Sequence, residues 1–202
     1  MAAQISDTFQ YKGVDYAVSG ISNGPLFEPS LFEMDPTGMC SLCWRGYQSV
    51  FAVLESRLVL DTLHINLLSK DQDFAPQEGP EINGVSPTGL ESEYDIFNNH
   101  YTRMGYPVEY SGGILLADGF INELSFHIGF APAWKYEHVL ELVFANGVLK
   151  KEFDRSEQIA GVRKKMLESY DDNDVYHKSS FAESMEFIGK LFDQTYQLND
   201  GT

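Results

Sequence analysis

Basic residues are scarce in this 202-residue chain: 14 Lys and Arg stand against 30 Asp and Glu, for a net charge of −16. Nucleic acids and anionic membrane surfaces are bound through clustered Lys and Arg that displace counterions, so neither is an expected partner. No apolar run approaches the ~20 residues needed to span a bilayer. The opening Met-Ala-Ala-Gln-Ile-Ser-Asp has neither a basic segment nor an apolar core, so no signal peptide is expected and a cytoplasmic location is the default. Two cysteines, Cys40 and Cys43, are too few for a secreted disulfide framework. There is no G-x-S-x-G, no glycine-rich phosphate loop, no H-E-x-x-H and no internal repeat. The motifs therefore favour a non-enzyme, and no cofactor or metal is expected.

What is present is the composition of a folded domain: 43% hydrophobic and 13% aromatic residues. A chain of this length can bury roughly 70% of its unfolded surface, enough for a core without staples. The expected class is α+β, mostly antiparallel sheet with two C-terminal helices. The whole chain, 1–202, reads as a single domain, β-rich over 1–153 and helical over 154–196. Aromatic and β-branched runs flank Lys12-Gly13 and predict a hairpin. Residues 22–38 carry three prolines and read as loop. A strand is expected over 42–53, a turn at Glu55-Ser56, and a return strand over 57–67. In that return strand Val59, Leu63, Ile65 and Leu67 share one face, with Asp61 the exception. Residues 69–90 read as a long surface loop, and 91–104 are ambiguous between strand and helix. Short strands are expected at 114–116 and 124–128. Asn146-Gly147 between two apolar runs predicts a hairpin over 136–153, because both residues tolerate positive φ. Asp154 and Glu157 have capping-box spacing ahead of a stripe of Ile159, Val162, Met166 and Tyr170. Ser180 begins a second helical pattern through Phe192.

Three patterns invite a chemical reading. Cys40-Ser-Leu-Cys43 resembles a redox pair, but such pairs open a helix and strand residues follow here, so one buried and one incidental cysteine is expected. Residues 171–174, Asp-Asp-Asn-Asp, lack the alternating ligands and glycine of a calcium loop. The five histidines, His64, His100, His127, His138 and His177, show no pairing at a metal-ligand spacing. Two aromatic clusters remain, one at Trp44 to Tyr47 and one from Phe126 to Tyr136. Trp, Tyr and Arg dominate binding hot spots and also ordinary cores, and the core is the commoner home of both clusters and of His127.

The segments GGILLADGFI (112–121) and HIGFAPAWKY (127–136), with CWRGY at 43–47 and DRS at 154–156, resemble a group of small bacterial proteins of unknown function. By size and charge such proteins resemble the immunity proteins encoded beside toxins. The expected function is a non-catalytic acidic binding protein, of the immunity type, whose partner is a basic protein. Its candidate contact residues are Glu91, Glu93, Asp95, Trp134, Tyr136, Asp171, Asp172 and Asp174. One alternative is a small enzyme or ligand-binding protein whose pocket includes Trp44, Asp118 and His127. The other is an accessory subunit of a larger assembly.

Overall fold

A computed structural model describes residues 3–69, 74–90, 92, 95–124, 129–170 and 194–196. Nine strands are defined among them: β1 Thr8–Tyr11, β2 Val14–Ile21, β3 Tyr47–Leu54, β4 Arg57–Ile65, β5 Asn99–Tyr101, β6 Tyr106–Pro107, β7 Gly112–Phe120, β8 Tyr136–Ala145 and β9 Val148–Asp154. One α-helix, α1, covers Ser156–Tyr170. The class is sheet-rich α+β. The second expected helix lies outside the described residues.

The strands run β3-β1-β2-β7-β8-β9-β4, and β4 pairs back onto β3, so seven strands close a circuit. Seven strands cannot alternate direction all the way round, and the odd count is resolved by the parallel pair β1–β3. Every other pairing in the circuit is antiparallel. The seam between β4 and β9 is narrow. It consists of the pair Arg57 and Val148, flanked by hydrogen bonds from Leu58 N to Gly147 O and from Leu149 N to Ser56 O, both 2.8 Å. Further along the same edge of β4 lie β6 and then β5. A small barrel of this kind is filled by its own side chains. Phe9, Val18, Phe51, Leu58, Leu60, Leu63, Ile65, Ile114, Leu116, Leu142 and Phe144 form the interior, all essentially without exposure. Phe9 packs against Phe51 and Phe144 with ring centroids 6.5 Å apart in each pair.

The tight turns come out where the sequence places them. Lys12-Gly13, Glu55-Ser56 and Asn146-Gly147 all have positive φ, the mark of the turn whose twist matches its strands. Glycine is required at 147. Its φ is +71°, and an added Cβ would lie 2.6 Å from the carbonyl oxygen of Val108. Gly147→Ala is expected to destabilise the fold by about 1–3 kcal/mol, read as a lowered urea midpoint at constant slope.

Several expectations need correction. The strand expected from residue 42 begins at Tyr47, because Cys40 to Gly46 is a double turn with Cys43 N donating to Cys40 O and Gly46 N to Cys43 O, each at 3.3 Å. In β4 the core face is Leu58 and Leu60, then Leu63 and Ile65, while Val59 falls outside the core cluster. The register passes from Val50–Thr62 to Phe51–Leu60, which makes Asp61 an extra, bulged residue. That bulge is the physical cause of the break in alternation at Asp61. Residues 122–124 form a 3₁₀ turn where a strand was expected to start, and 125–128 lie outside the described residues. The ambiguous stretch 91–104 contributes the short strand β5. The described parts of loop 69–90 are tied down: Tyr101 donates to Pro80 O at 2.8 Å and Gly79 N to Asn99 Oδ1 at 2.8 Å.

Helix α1 does not use the capping box. Asp154 is the last residue of β9, and its carboxylate accepts from Ser156 N at 2.9 Å, while Ser156 Oγ accepts from Val139 N at 3.1 Å. The docked face is Ile159 with Arg163, whose guanidinium donates to the carbonyls of Trp134 (2.8 Å) and Tyr136. Val162 of the expected stripe is exposed instead. Through these contacts α1 covers the outer face of β7 and β8, where Leu115, Ala117, Ala133, Tyr136 and Val139 form a second apolar cluster.

Candidate functional site

Of the expected contact residues, Glu91, Glu93, Asp171, Asp172 and Asp174 lie outside the described residues, as does His127. Trp134 stands half-buried in a 3₁₀ turn, Ala133–Lys135, with the Lys135 ammonium 5.2 Å from its ring centre. Lys135 is itself buried, and burial holds its pKa below the ordinary lysine value. Tyr136 belongs to the outer apolar cluster and packs edge-on to Phe120 at 5.3 Å. The carbonyls of both residues receive the Arg163 guanidinium of α1, and the Tyr136 ring lies in the apolar cluster that the helix covers. Asp118 is exposed on β7 opposite His138, and neither it nor Trp44 lines the cleft beside Asp7 and Phe120 or the one beside His64 and His100.

Asp95 does belong to a chemical cluster, one that chain order conceals. The β4–β5 pairing sets His64 directly across from His100. Their Nδ1 atoms stand 2.7 Å apart. His100 Nε2 faces two acceptors, Asp95 Oδ2 at 2.7 Å and Phe97 O at 3.1 Å. A nitrogen between two acceptors carries a proton, so Nε2 of His100 is the N–H. One proton is then shared across the Nδ1 contact, and a second would drive two N–H groups together. The pair thus holds one positive charge at most in this geometry. His64 also stacks on Phe97 at 5.9 Å. The cluster borders a cleft of about 460 Å³ with Gln48 and Ser92 on its wall.

The β2–β3 connection carries a different kind of feature. Leu31, Met39, Leu42 and Trp44 are 76%, 58%, 48% and 46% exposed. The backbone from Ser41 to Gly46 is nevertheless held by hydrogen bonds to other parts of the chain. Trp44 N donates to Gln4 Oε1 and Gln4 Nε2 to Ser41 O, both at 2.9 Å. Ile5 N donates to Leu42 O at 2.9 Å, and Asn66 N to Gly46 O at 2.8 Å. Arg45 closes the turn from inside with a two-pronged pair to Asp7 at 3.0 and 2.6 Å, and its Nε donates to Tyr47 O at 2.9 Å. Burial pushes the Cys43 thiol up, with Arg45 opposing, so a reactive thiolate is disfavoured there. Its thiol donates to Tyr47 O at 3.2 Å. Cys43 is buried, Cys40 is half-buried, and both are free thiols. The exposure of Trp44 departs from the expectation that the 44–47 cluster is core, whereas Tyr47 meets it, packed against the barrel core and edge-on to Phe27 at 5.6 Å.

No family model, curated protein or solved structure matches the chain. No helix among the described residues is long and apolar enough to cross a membrane.

Proposed function

We propose that this chain is a non-catalytic acidic binding protein whose partner is a basic protein, with an immunity-type inhibitor of a basic toxin as the form best suited to its size and charge. The observation that carries the reading is the charge of −16 on a barrel whose interior is filled by its own side chains. A solid barrel has no room for a ligand inside, so recognition falls to its connections and outer surface. An excess of one sign of charge speeds encounter with the opposite sign and rejects like-charged competitors.

The test is capture of the partner from the native host, then association and dissociation rates at two salt concentrations. The association rate is expected to fall by tenfold or more between low and physiological salt, because exposed charges farther apart than a Debye length of about 8 Å are screened there. An acidic partner, or a rate indifferent to salt, removes the proposal.

A second reading, a small enzyme or ligand-binding protein, is favoured by one observation: Asp95, His100 and His64 form a hydrogen-bonded chain at the edge of a cleft. An acid orienting one imidazole that in turn orients another is an arrangement suited to proton transfer. A small molecule that co-purifies with the chain and is lost in His64→Ala decides for that reading.

A further inference from the structure

Eleven large apolar side chains are exposed among the described residues, and four of them sit in the β2–β3 connection: Leu31, Met39, Leu42 and Trp44. Exposed apolar groups scattered singly need no explanation, whereas a concentration in one connection does. Two further facts accompany it. First, the segment is built to hold still. An added Cβ on Gly38 would lie 2.5 Å from Trp44 O, and one on Gly46 would lie 2.6 Å from the carbonyl carbon of Thr37, so the chain crosses itself at two positions that only glycine fits. Rigid presentation lowers the ordering cost of binding and so raises affinity. Second, the stretch of chain that leads into it carries charge of one sign. From residue 13 to residue 44 there is no Lys, Arg or His, and Asp15, Glu28, Glu33 and Asp35 are all exposed. The guanidinium that follows, Arg45, is neutralised by Asp7.

Resting on the proposed function above, we infer that the turn from Gly38 to Gly46 is the anchor of the interface, and that it fits a basic protein surface with an apolar pocket ringed by Lys and Arg. Met39, Leu42 and Trp44 enter the pocket. Glu28, Glu33 and Asp35 meet the cationic rim. Trp is the side chain most enriched at interface hot spots, and those anchors sit centrally within a polar ring.

The test is selection of a random-peptide library displayed on phage against the intact chain, followed by titration of synthetic copies of the enriched peptides. The enriched sequences are expected to combine apolar or aromatic residues with Lys and Arg. Trp44→Ala with Leu42→Ser should weaken their binding by roughly thirtyfold or more, the scale of a hot-spot residue. Leu54→Ser removes an equally exposed apolar group at the far end of β3, roughly 23 Å along the strand, and should leave binding unchanged. In Trp134→Phe, where Trp44 is the sole indole, emission should move to the blue on binding. That readout leaves the turn untouched and stands even where the double variant fails to fold. Basic peptides that bind the double variant as well as the parent, without an emission shift, overturn the surface and leave the basic-partner reading in place. Enrichment of acidic peptides, or of none, overturns both. Concentration-dependent self-association abolished by Trp44→Ala makes a second copy the occupant and also overturns the assignment.

Discussion

Arg45→Ala is expected to cost about 3–5 kcal/mol of stability, the range for stripping one partner from a buried ion pair. Asp7 is 9% exposed and its carboxylate has three donors: both terminal nitrogens of Arg45, and Ser49 N at 2.7 Å. Burial alone would lower the Arg45 pKa, but attraction and hydrogen bonding to Asp7 more than offset it and the value is raised. With the guanidinium gone, Asp7 stays behind as a buried charge with one backbone donor. The packing of Arg45 over the rings of Tyr47 (4.6 Å) and Phe130 (5.2 Å) is lost as well. Arg45→Lys keeps the charge but not the two-pronged geometry, and should fall between parent and Ala. The double change Asp7→Asn with Arg45→Met should recover part of the loss, because no isolated charge then remains. Urea unfolding of the four proteins measures this. A cost below about 1 kcal/mol for Arg45→Ala, the range of exposed pairs, would show that water reaches the pair.

That ion pair also marks the limit of what could be read from the sequence. The hairpin turns are local: Asn146-Gly147 was legible because both residues tolerate positive φ, and Lys12-Gly13 and Glu55-Ser56 because each separates two strand-like runs. The bulge in β4 was half legible, since Asp61 appeared as an exception whose cause lay on the partner strand β3. Closure of the barrel was not. It depends on β1 meeting β3 and on β9 meeting β4, pairings separated by long connections and carrying no composition of their own. The same holds for the polar clusters. Asp7 and Arg45 are 38 positions apart and His64 and His100 are 36 apart, and only the strand order brings each pair within hydrogen-bond reach. For the aromatic residues, sequence could not separate surface from core. Trp44 and Tyr136 occur in similar surroundings along the chain, yet the double turn at 40–46 turns the first outward while β8 places the second under α1.

The end of the described chain is fastened to the sheet by a second buried carboxylate, and Glu141→Ala should lower stability by about 3–5 kcal/mol. Glu141 is 3% exposed on the outer face of β8. It accepts from Arg155 Nε at 2.7 Å and from the Tyr196 hydroxyl at 2.8 Å. Residues 194–196 run beside β2, with Ile21 N donating to Gln194 O at 2.8 Å and Tyr196 N to Ile21 O at 3.2 Å. One carboxylate thus joins the segment after β9 to the far end of the chain, and its removal leaves a guanidinium and a phenol without their acceptor. Tyr196→Phe is milder, about 1–2 kcal/mol, since it deletes one donor to a charged acceptor. It also carries a distinguishing pH signature. Burial and then Glu141 raise the Tyr196 pKa above its ordinary 10.0. A raised phenol contributes its stability in full below pH 10, and that contribution is lost as pH rises, because the unfolded chain releases a proton the folded one keeps. Buried Tyr101, pushed up to about 12, adds to the same alkaline loss. The Phe variant should therefore be less stable than the parent at neutral pH, with the gap closing above pH 10. Urea midpoints at neutral pH and near pH 11 measure both parts, and an equal gap at the two would mean that the Tyr196 phenol is not held against Glu141.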